Sequence, residues 1–374
     1  MPISDTFFDT LRDWSKRKIE IISKYTAAGA RILKKGWYID GFAGTGLYED
    51  EKKGSSLVVA EIAQELKDKV SLSCLNVEED RENYRQLVRN TCQLNPPPIN
   101  LHGSFTGKID DILEHISNDN VICFLDPFGI KGIDYSTIQK LVNRNTNENN
   151  FATDLWLRFD TKITHRLRGR NPTKTDHFKL LHQAFGINDP YRLLDLLTNC
   201  DQCDITENAV RQYLEQLKLI YQEKYGHAYT GYYPIYSLEG DYKYYLTFIT
   251  KHPIAICVAS DVVYSSEKQY KLDFQTYKET ATNQLSLFSI SEVTEKWMNL
   301  EAIKRIKDHL TMNCRRSTMP LLKIKLDLIE HGQFGKFSHR DLRKALLELK
   351  EDHFIISSSS NAYSKMDTEF TFIP

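Results

Sequence analysis

Short apolar runs separated by stretches of helical periodicity constrain this chain more than any other feature. Trp37 to Ile39, the S-L-S-C-L-N-V run ending at Glu78, I-N-L-H-G-S-F, V-I-C-F-L-D at 121–126 and D-L-W-L-R-F at 154–159 each read as a buried strand. Between them, 55–67, 80–90, 109–116 and 134–143 space their apolar residues as helices do, and N-P-P-P at 95–98 breaks the pattern once. Strands alternating with helices of this length form βαβ units, whose parallel sheet must be covered on both faces. Residues 1–270 are therefore expected to form one Rossmann-like α/β domain. An amphipathic entry helix over 5–34 carries Phe7, Leu11, Trp14, Ile19, Ile22, Tyr25 and Leu33. A helical insertion is expected over about 160–235. The segments 244–250 and 255–264 read as two late strands, or as a strand and a helix.

The remainder has a different rhythm. Residues 271–294 are polar and weakly periodic, a linker in this reading. From 295 to 374, Leu300, Ile303, Ile306 and Leu310, then Leu321, Ile324, Leu326 and Ile329, recur at helical spacing. Ser338 followed by Asp341 is a capping-box start for a third helix, and an alternating segment about a Ser/Asn tip closes the chain as a hairpin would. Three helices and a hairpin predict a winged-helix-like module.

Composition narrows the function classes. A 41% hydrophobic and 26% charged chain of 374 residues is neither disordered nor fibrous. Its formal net charge of -1 supplies no global field for a polyanion, so any nucleic-acid site must be local. The first twenty residues are too charged for a secretory signal, and no long apolar run suggests a membrane span. A cytoplasmic protein without a membrane partner is expected. Of 7 cysteines only Cys200 and Cys203 are close, and they read as reduced packing residues. The histidines, including His102, His227 and His252, show no metal spacing, and no metal is expected.

Three motifs carry chemistry. The first is Y-I-D-G-F-A-G-T-G at 38–46, a strand running into a glycine turn that lets backbone approach a bulky ligand. A dinucleotide fingerprint would need Gly or Ala where Glu49 stands, and Asp40 at the strand end would repel a pyrophosphate. A cationic ligand suits it better, and D-x-F-x-G-x-G after the first strand is the pattern of class I methyltransferases, which bind S-adenosylmethionine. Asp40, Phe42, Gly44 and Gly46 are the candidates for that loop. The second is Glu78, placed to accept ribose hydroxyls at the end of the next strand; by itself it would equally be an acidic helix start. The third is Asp126-Pro127-Phe128-Gly129. Asp126 and the Pro127 carbonyl are suited to accept the protons of a base amine and Phe128 to stack on the base, although D-P-F-G would also serve as a plain turn.

With G-S-S at 54–56 and Y-Y-L-T-F-I-T-K-H-P at 244–253, these motifs resemble, in order, the three-Cys-motif partner protein family. The resemblance implies a class I methyltransferase-like fold and a radical-SAM-like three-cysteine protein as partner. It assigns Asp40, Phe42, Gly44 and Gly46 to the cofactor loop, Glu78 to the ribose and Asp126 to Gly129 to catalysis. The D-P-F-G element is also similar to that of tRNA guanine-N2 dimethyltransferases and, in role, to the tetrad of amino-directed nucleic-acid methyltransferases. Lys18 and Tyr25 match family positions that reach toward the cofactor carboxylate, against the plainer reading of surface charge and core aromatic. The sequence departs from many methyltransferases after the third strand, where Ser104 with Phe105 stands in place of the acid that would meet the adenine amine; both are candidates for cofactor binding, Phe105 against the adenine face.

Basic residues concentrate locally. Arg158, Lys162, Arg166, Arg168, Arg170 and Lys174 follow the strand after Asp126 and are candidates for phosphate contact, against the alternative of a solvated loop. The C-terminal module is also basic. The leading expectation is a methyltransferase for an exocyclic amine of a DNA or RNA base. The alternative is a non-catalytic nucleotide-binding or adaptor subunit in a mobile-element or phage-defence system.

Overall fold

In the computed structural model the described residues are 12–144, 151–160, 176–198, 205–282, 290–357 and 365–373. They fall into two compact units, Met1–Ser237 with Tyr242–His252, and Leu238–Asp241 with Pro253–Pro374. The first begins with α1 (Asp13–Leu33) and β1 (Lys35–Asp40), then α2 (Ser55–Leu66), β2 (Ser71–Glu78), α3 (Arg81–Thr91) and β3 (Ile99–His102). It continues through α4 (Ile109–Ile116), β4 (Val121–Leu125), α5 (Tyr135–Asn143) and β5 (Thr153–Phe159). Three helices follow, α6 (Asp176–Phe185), α7 (Pro190–Thr198) and α8 (Ile205–Tyr225), before β6 (Tyr229–Tyr236) and β7 (Tyr242–Thr250).

The seven strands lie in the order β3-β2-β1-β4-β5-β7-β6. β1 to β5 pair in parallel, whereas β7 runs antiparallel to both β5 and β6. This is the Rossmann-like, mostly parallel arrangement the sequence predicts. Every residue of β4 is buried, as a central strand covered on both faces requires. Ile109, Ile112 and Ile116 line one side of α4 and join Ile39, Leu75, Cys123 and Leu155 in the core. Because β1 neighbours β4, the sheet grows in opposite directions on either side of that pair. In open α/β sheets ligands bind beyond the strands' carboxyl ends at such a switch point.

The late elements differ from expectation in three places. β6 occupies residues assigned by sequence to the helical insertion; its burial alternates, and its edge position tolerates Pro234. The boundary between compact units falls at Pro253 rather than near 270, because residues 253–282 form one helix, α9 (Pro253–Thr282). Its Ile256, Cys257, Ala259 and Val263 are buried at helical spacing, which selects the helix for 255–264. Residues 271–282 and 290–294, expected as linker, are also helical, and 283–289 lie outside the described residues.

The second unit continues with α10 (Ile290–Asn313), β8 (Thr318–Pro320), α11 (Leu321–Leu328), α12 (His339–Glu351), β9 (Ile355–Ser357) and β10 (Glu369–Phe372). An antiparallel sheet in the order β8-β10-β9 includes the pair expected of a hairpin, whose tip at 358–364 lies outside the described residues. β8 has only three residues, too few to show alternation in the sequence. The capping box forms as expected: Asp341 N–H donates to Ser338 Oγ at 3.1 Å, and Ser338 N–H donates to Asp341 Oδ2 at 2.9 Å. No helix among the described residues is long and apolar enough to cross a membrane.

Candidate functional site

β1 ends on Asp40, β2 on Glu78, and Asp126 follows the last residue of β4. Parallel pairing brings all three to one edge of the sheet. Asp40 is fully buried, and its hydrogen-bond donors are neutral: Ser55 Oγ at 2.6 Å, the Phe42 N–H at 3.2 Å and Tyr38 Oη at 3.4 Å. Burial raises its carboxyl to about 6 against the lowering effect of the Ser55 and Phe42 donors, and the charge of Asp126 adds to the rise. The acid is thus ionised at neutral pH but close to its titration point.

The glycine turn wraps onto Glu78. The Gly44 N–H donates to Glu78 Oε2 at 2.8 Å, and the Asp80 N–H to Oε1 at 2.8 Å. Gly44 and Gly46 have φ of 62° and 75°, the left-handed region where a side chain is strained, so the turn needs glycine there. Gly41 is needed for space instead: a Cβ on it would lie 2.5 Å from Leu125 Cδ2. A small excursion follows, closed where Gly54 N–H donates to Gly46 O at 2.8 Å and Leu47 bridges Lys53. It accounts for the long sequence separation between Asp40 and Glu78. Burial raises the Glu78 carboxyl, with the two backbone donors opposing.

Asp126 is the most heavily engaged acid. Lys18 of α1, its side chain 6% exposed, donates to Oδ2, and Arg158 of β5 approaches Oδ1 at 3.4 Å. Burial alone would raise this carboxyl, but the Lys18 and Arg158 charges outweigh it and hold it below the ordinary carboxylate range. Arg158 also lies 3.8 Å from Asp160 and 4.6 Å over the Tyr244 ring. Tyr244 is itself fixed by donating to the Trp14 carbonyl at 3.1 Å. Beyond Pro127, Phe128 is 44% exposed, and Gly129 turns the chain at φ 78° with open space around it.

Not every expected residue sits as the sequence suggested. Ser104 Oγ accepts the Gly107 N–H at 3.1 Å, so it fixes the turn leading into α4. Phe105 is 2% exposed and packs in the core, its ring centroid 6.4 Å from that of Phe42. Arg158 belongs to the Asp126 cluster rather than to an exposed basic run, because strand β5 delivers it beside the acid at the end of β4. Lys162, Arg166, Arg168, Arg170 and Lys174 lie outside the described residues. Tyr25 stands apart from the site: its hydroxyl donates to Asp154 near the amino end of β5. Lys18, already named from the family resemblance, and Ser55 complete the cluster; the signal for Ser55 was the G-S-S that opens α2.

No protein-family model matches the chain, and no curated protein does. Among solved structures it is similar to an O-methyltransferase from Bacillus cereus in complex with SAH, at 12% identity and TM-score 0.34, over 61% of this chain and 80% of the other. It is also similar to the O-methyltransferase TomG from Streptomyces achromogenes in complex with SAM, at 11% identity and TM-score 0.33, over 61% and 78%. A third is P. horikoshii TYW2 in complex with MeSAdo, at 11% identity and TM-score 0.33, over 67% and 66%.

Proposed function

We propose that the chain is an S-adenosylmethionine-dependent methyltransferase acting on an exocyclic amine of a nucleic-acid base. The supporting observation is the convergence of Asp40, Glu78 and Asp126 at the switch point of the sheet, where open α/β sheets bind ligands. The residues fit the cofactor. Asp40 is a buried carboxylate whose hydrogen bonds come from neutral donors, an arrangement that favours a positively charged ligand. Glu78 accepts the two backbone N–H groups and a side-chain hydrogen bond from Asn83, which leaves its carboxylate one acceptor position for a ribose hydroxyl. S-adenosylmethionine supplies a methyl group on a sulfonium, ready for in-line displacement.

The chain's own work is positioning. A base amine approaching Asp126 takes the place of Lys18 at Oδ2 while Arg158 stays at Oδ1. Asp126, kept ionised by its neighbours, accepts a hydrogen bond from the amine and directs the nitrogen lone pair. With its lowered pKa it is too weak a base to retain the proton, which passes to water once the N–C bond has formed and the C–S bond has broken. Pro127 offers a carbonyl and no competing N–H, and half-exposed Phe128 is a surface on which an extruded base stacks.

The nucleic acid would be held by the basic residues that follow Arg158; the second unit, which we read as winged-helix-like, is a separate candidate for such contact. A three-Cys-motif protein is the partner implied by family resemblance. The experiment is transfer of labelled methyl from S-adenosylmethionine to DNA and RNA by the wild type and by Asp126→Ala. Incorporation lost in the variant supports the assignment, and equal incorporation by both refutes it.

A second reading has an observation in its favour. Asp126 already holds two cations, so the site would also suit a nucleotide-binding adaptor that transfers nothing. Calorimetric binding of S-adenosylmethionine with no methyl incorporation into any nucleic acid would select it.

A further inference from the structure

The second unit holds a cluster that plays no part in this chemistry. His309 of α10 meets Asp327 of α11 and His331, four residues farther on, and one donor atom from each lies within 4.8 Å of the other two. His309 Nε2 is 2.6 Å from Asp327 Oδ2, and His331 Nδ1 is 3.5 Å from Asp327 Oδ1. The two imidazole centroids are 4.8 Å apart. We infer that His309, Asp327 and His331 form a site for a divalent ion of the zinc class, joining α10 to the end of α11.

The donor set selects the ion. Two imidazoles and one carboxylate suit zinc, cobalt or nickel, whereas magnesium and calcium prefer all-oxygen sets. The surroundings prepare the ligands. The Asp327 backbone carbonyl lies 2.8 Å from His331 Nδ1, and because a carbonyl only accepts, it fixes the proton on Nδ1 and leaves the lone pair on Nε2. Backbone carbonyls orient metal-binding histidines in this way. At His309 the ion replaces the proton between Nε2 and Asp327; the ring's proton then moves to Nδ1, so the Asn313 amide, whose Nδ2 faces Nδ1 at 3.2 Å, must turn over to present its oxygen as acceptor. Tetrahedral bonds of about 2.0–2.2 Å set ligand atoms about 3.4 Å apart, so the 2.6 Å contact must open by roughly 0.8 Å. Two side chains near the surface allow that, since Asp327 is 28% and His331 55% exposed. Three protein ligands leave a coordination position for water. In the sequence, only the Asp327 and His331 spacing hints at the site; His309 comes from another helix.

The test uses the full-length protein after chelation and dialysis. Titration with zinc should show one equivalent bound, and cobalt(II) should give the visible absorption of a low-coordinate site. His331→Gln, at an exposed position, should weaken zinc binding by at least about 100-fold, the upper end of what losing a supporting partner costs. Removing Cys200 and Cys203 together should leave the cobalt spectrum unchanged, which separates this site from a thiolate site. Absence of zinc binding at 0.1 mM (~10⁻⁴ M, far above the range of a structural site), or binding unaffected by His331→Gln, overturns the inference and leaves a hydrogen-bonded triad.

Discussion

Two aspartates of the first unit stand at opposite ends of neighbouring strands and are treated in opposite ways. Asp126 follows β4 and is paired with Lys18 and Arg158. Asp154, the second residue of β5, receives hydrogen bonds from Tyr25 Oη at 2.6 Å and Thr250 Oγ1 at 2.5 Å, both neutral. Burial disfavours the charge on each. At Asp154 the hydroxyls do not overcome it and the pKa rises, while at Asp126 the two cations do and the pKa falls. A carboxyl that ties a tyrosine to a strand needs only hydroxyl partners. Keeping an acid ionised beside two largely buried cations is a poor way to gain stability, since apolar replacements often do as well. That contrast marks Asp126, rather than Asp154, as a group kept for its charge.

The comparison can be broken by mutation. Asp126→Ala leaves Lys18 and Arg158 without their shared acid and should lower stability by about 3–5 kcal/mol in urea unfolding. Asp126→Asn combined with Lys18→Met should recover most of that loss without restoring methyl transfer; full additivity of the two changes would show that the pair is not coupled. Asp40→Asn keeps the Ser55 contact and removes a buried charge, so it should stabilise the protein by up to about 3 kcal/mol at neutral pH while abolishing cofactor binding. In the wild type, cofactor affinity should fall by up to about tenfold per pH unit below about 6, as Asp40 takes up its proton, and Asp40→Asn should flatten that slope.

Asp154→Asn should cost about 1–3 kcal/mol through mismatched hydroxyl partners and leave cofactor binding unchanged. The smallest effect is in acid. Because the folded Asp154 carboxyl is raised, its protonation favours folding, and this contribution is lost as pH rises through the folded value. Asp126 has the opposite sign: its contribution is present above the unfolded value and is lost as pH falls through the depressed folded one. Unfolding of Asp154→Asn as a function of pH should therefore keep the Asp126 loss at low pH and lack the Asp154 gain. Retention of both would show that Asp154 is not the group responsible.

The parallel half of the sheet was legible because its strands are short, apolar-rich runs separated by helical periodicity, unbroken in β4 and interrupted by polar residues in β2 and β3. β6 was not, since an edge strand with alternating burial and a proline resembles loop. Asp40, Glu78 and Asp126 were legible for a related reason: each interrupts an apolar run at its end, and parallel strands bring such ends together. The cations on Asp126 come from elements 108 and 32 residues away in sequence, a pairing that local pattern cannot show. Arg158 was therefore grouped with its sequence neighbours, and Ser104 was given a ligand role although its nearest acceptor task was a turn three residues long.

The closure of the chain where Gly54 meets Gly46 has a practical corollary. Residues 47–53 leave and re-enter the framework at one point, so their length is uncoupled from the spacing of the acids on either side. A fluorophore or short peptide tag placed at exposed Glu51 or Lys52, clear of Tyr48, which lies near Asp40 and Asp126, would report from beside the site without changing the spacing of its acids.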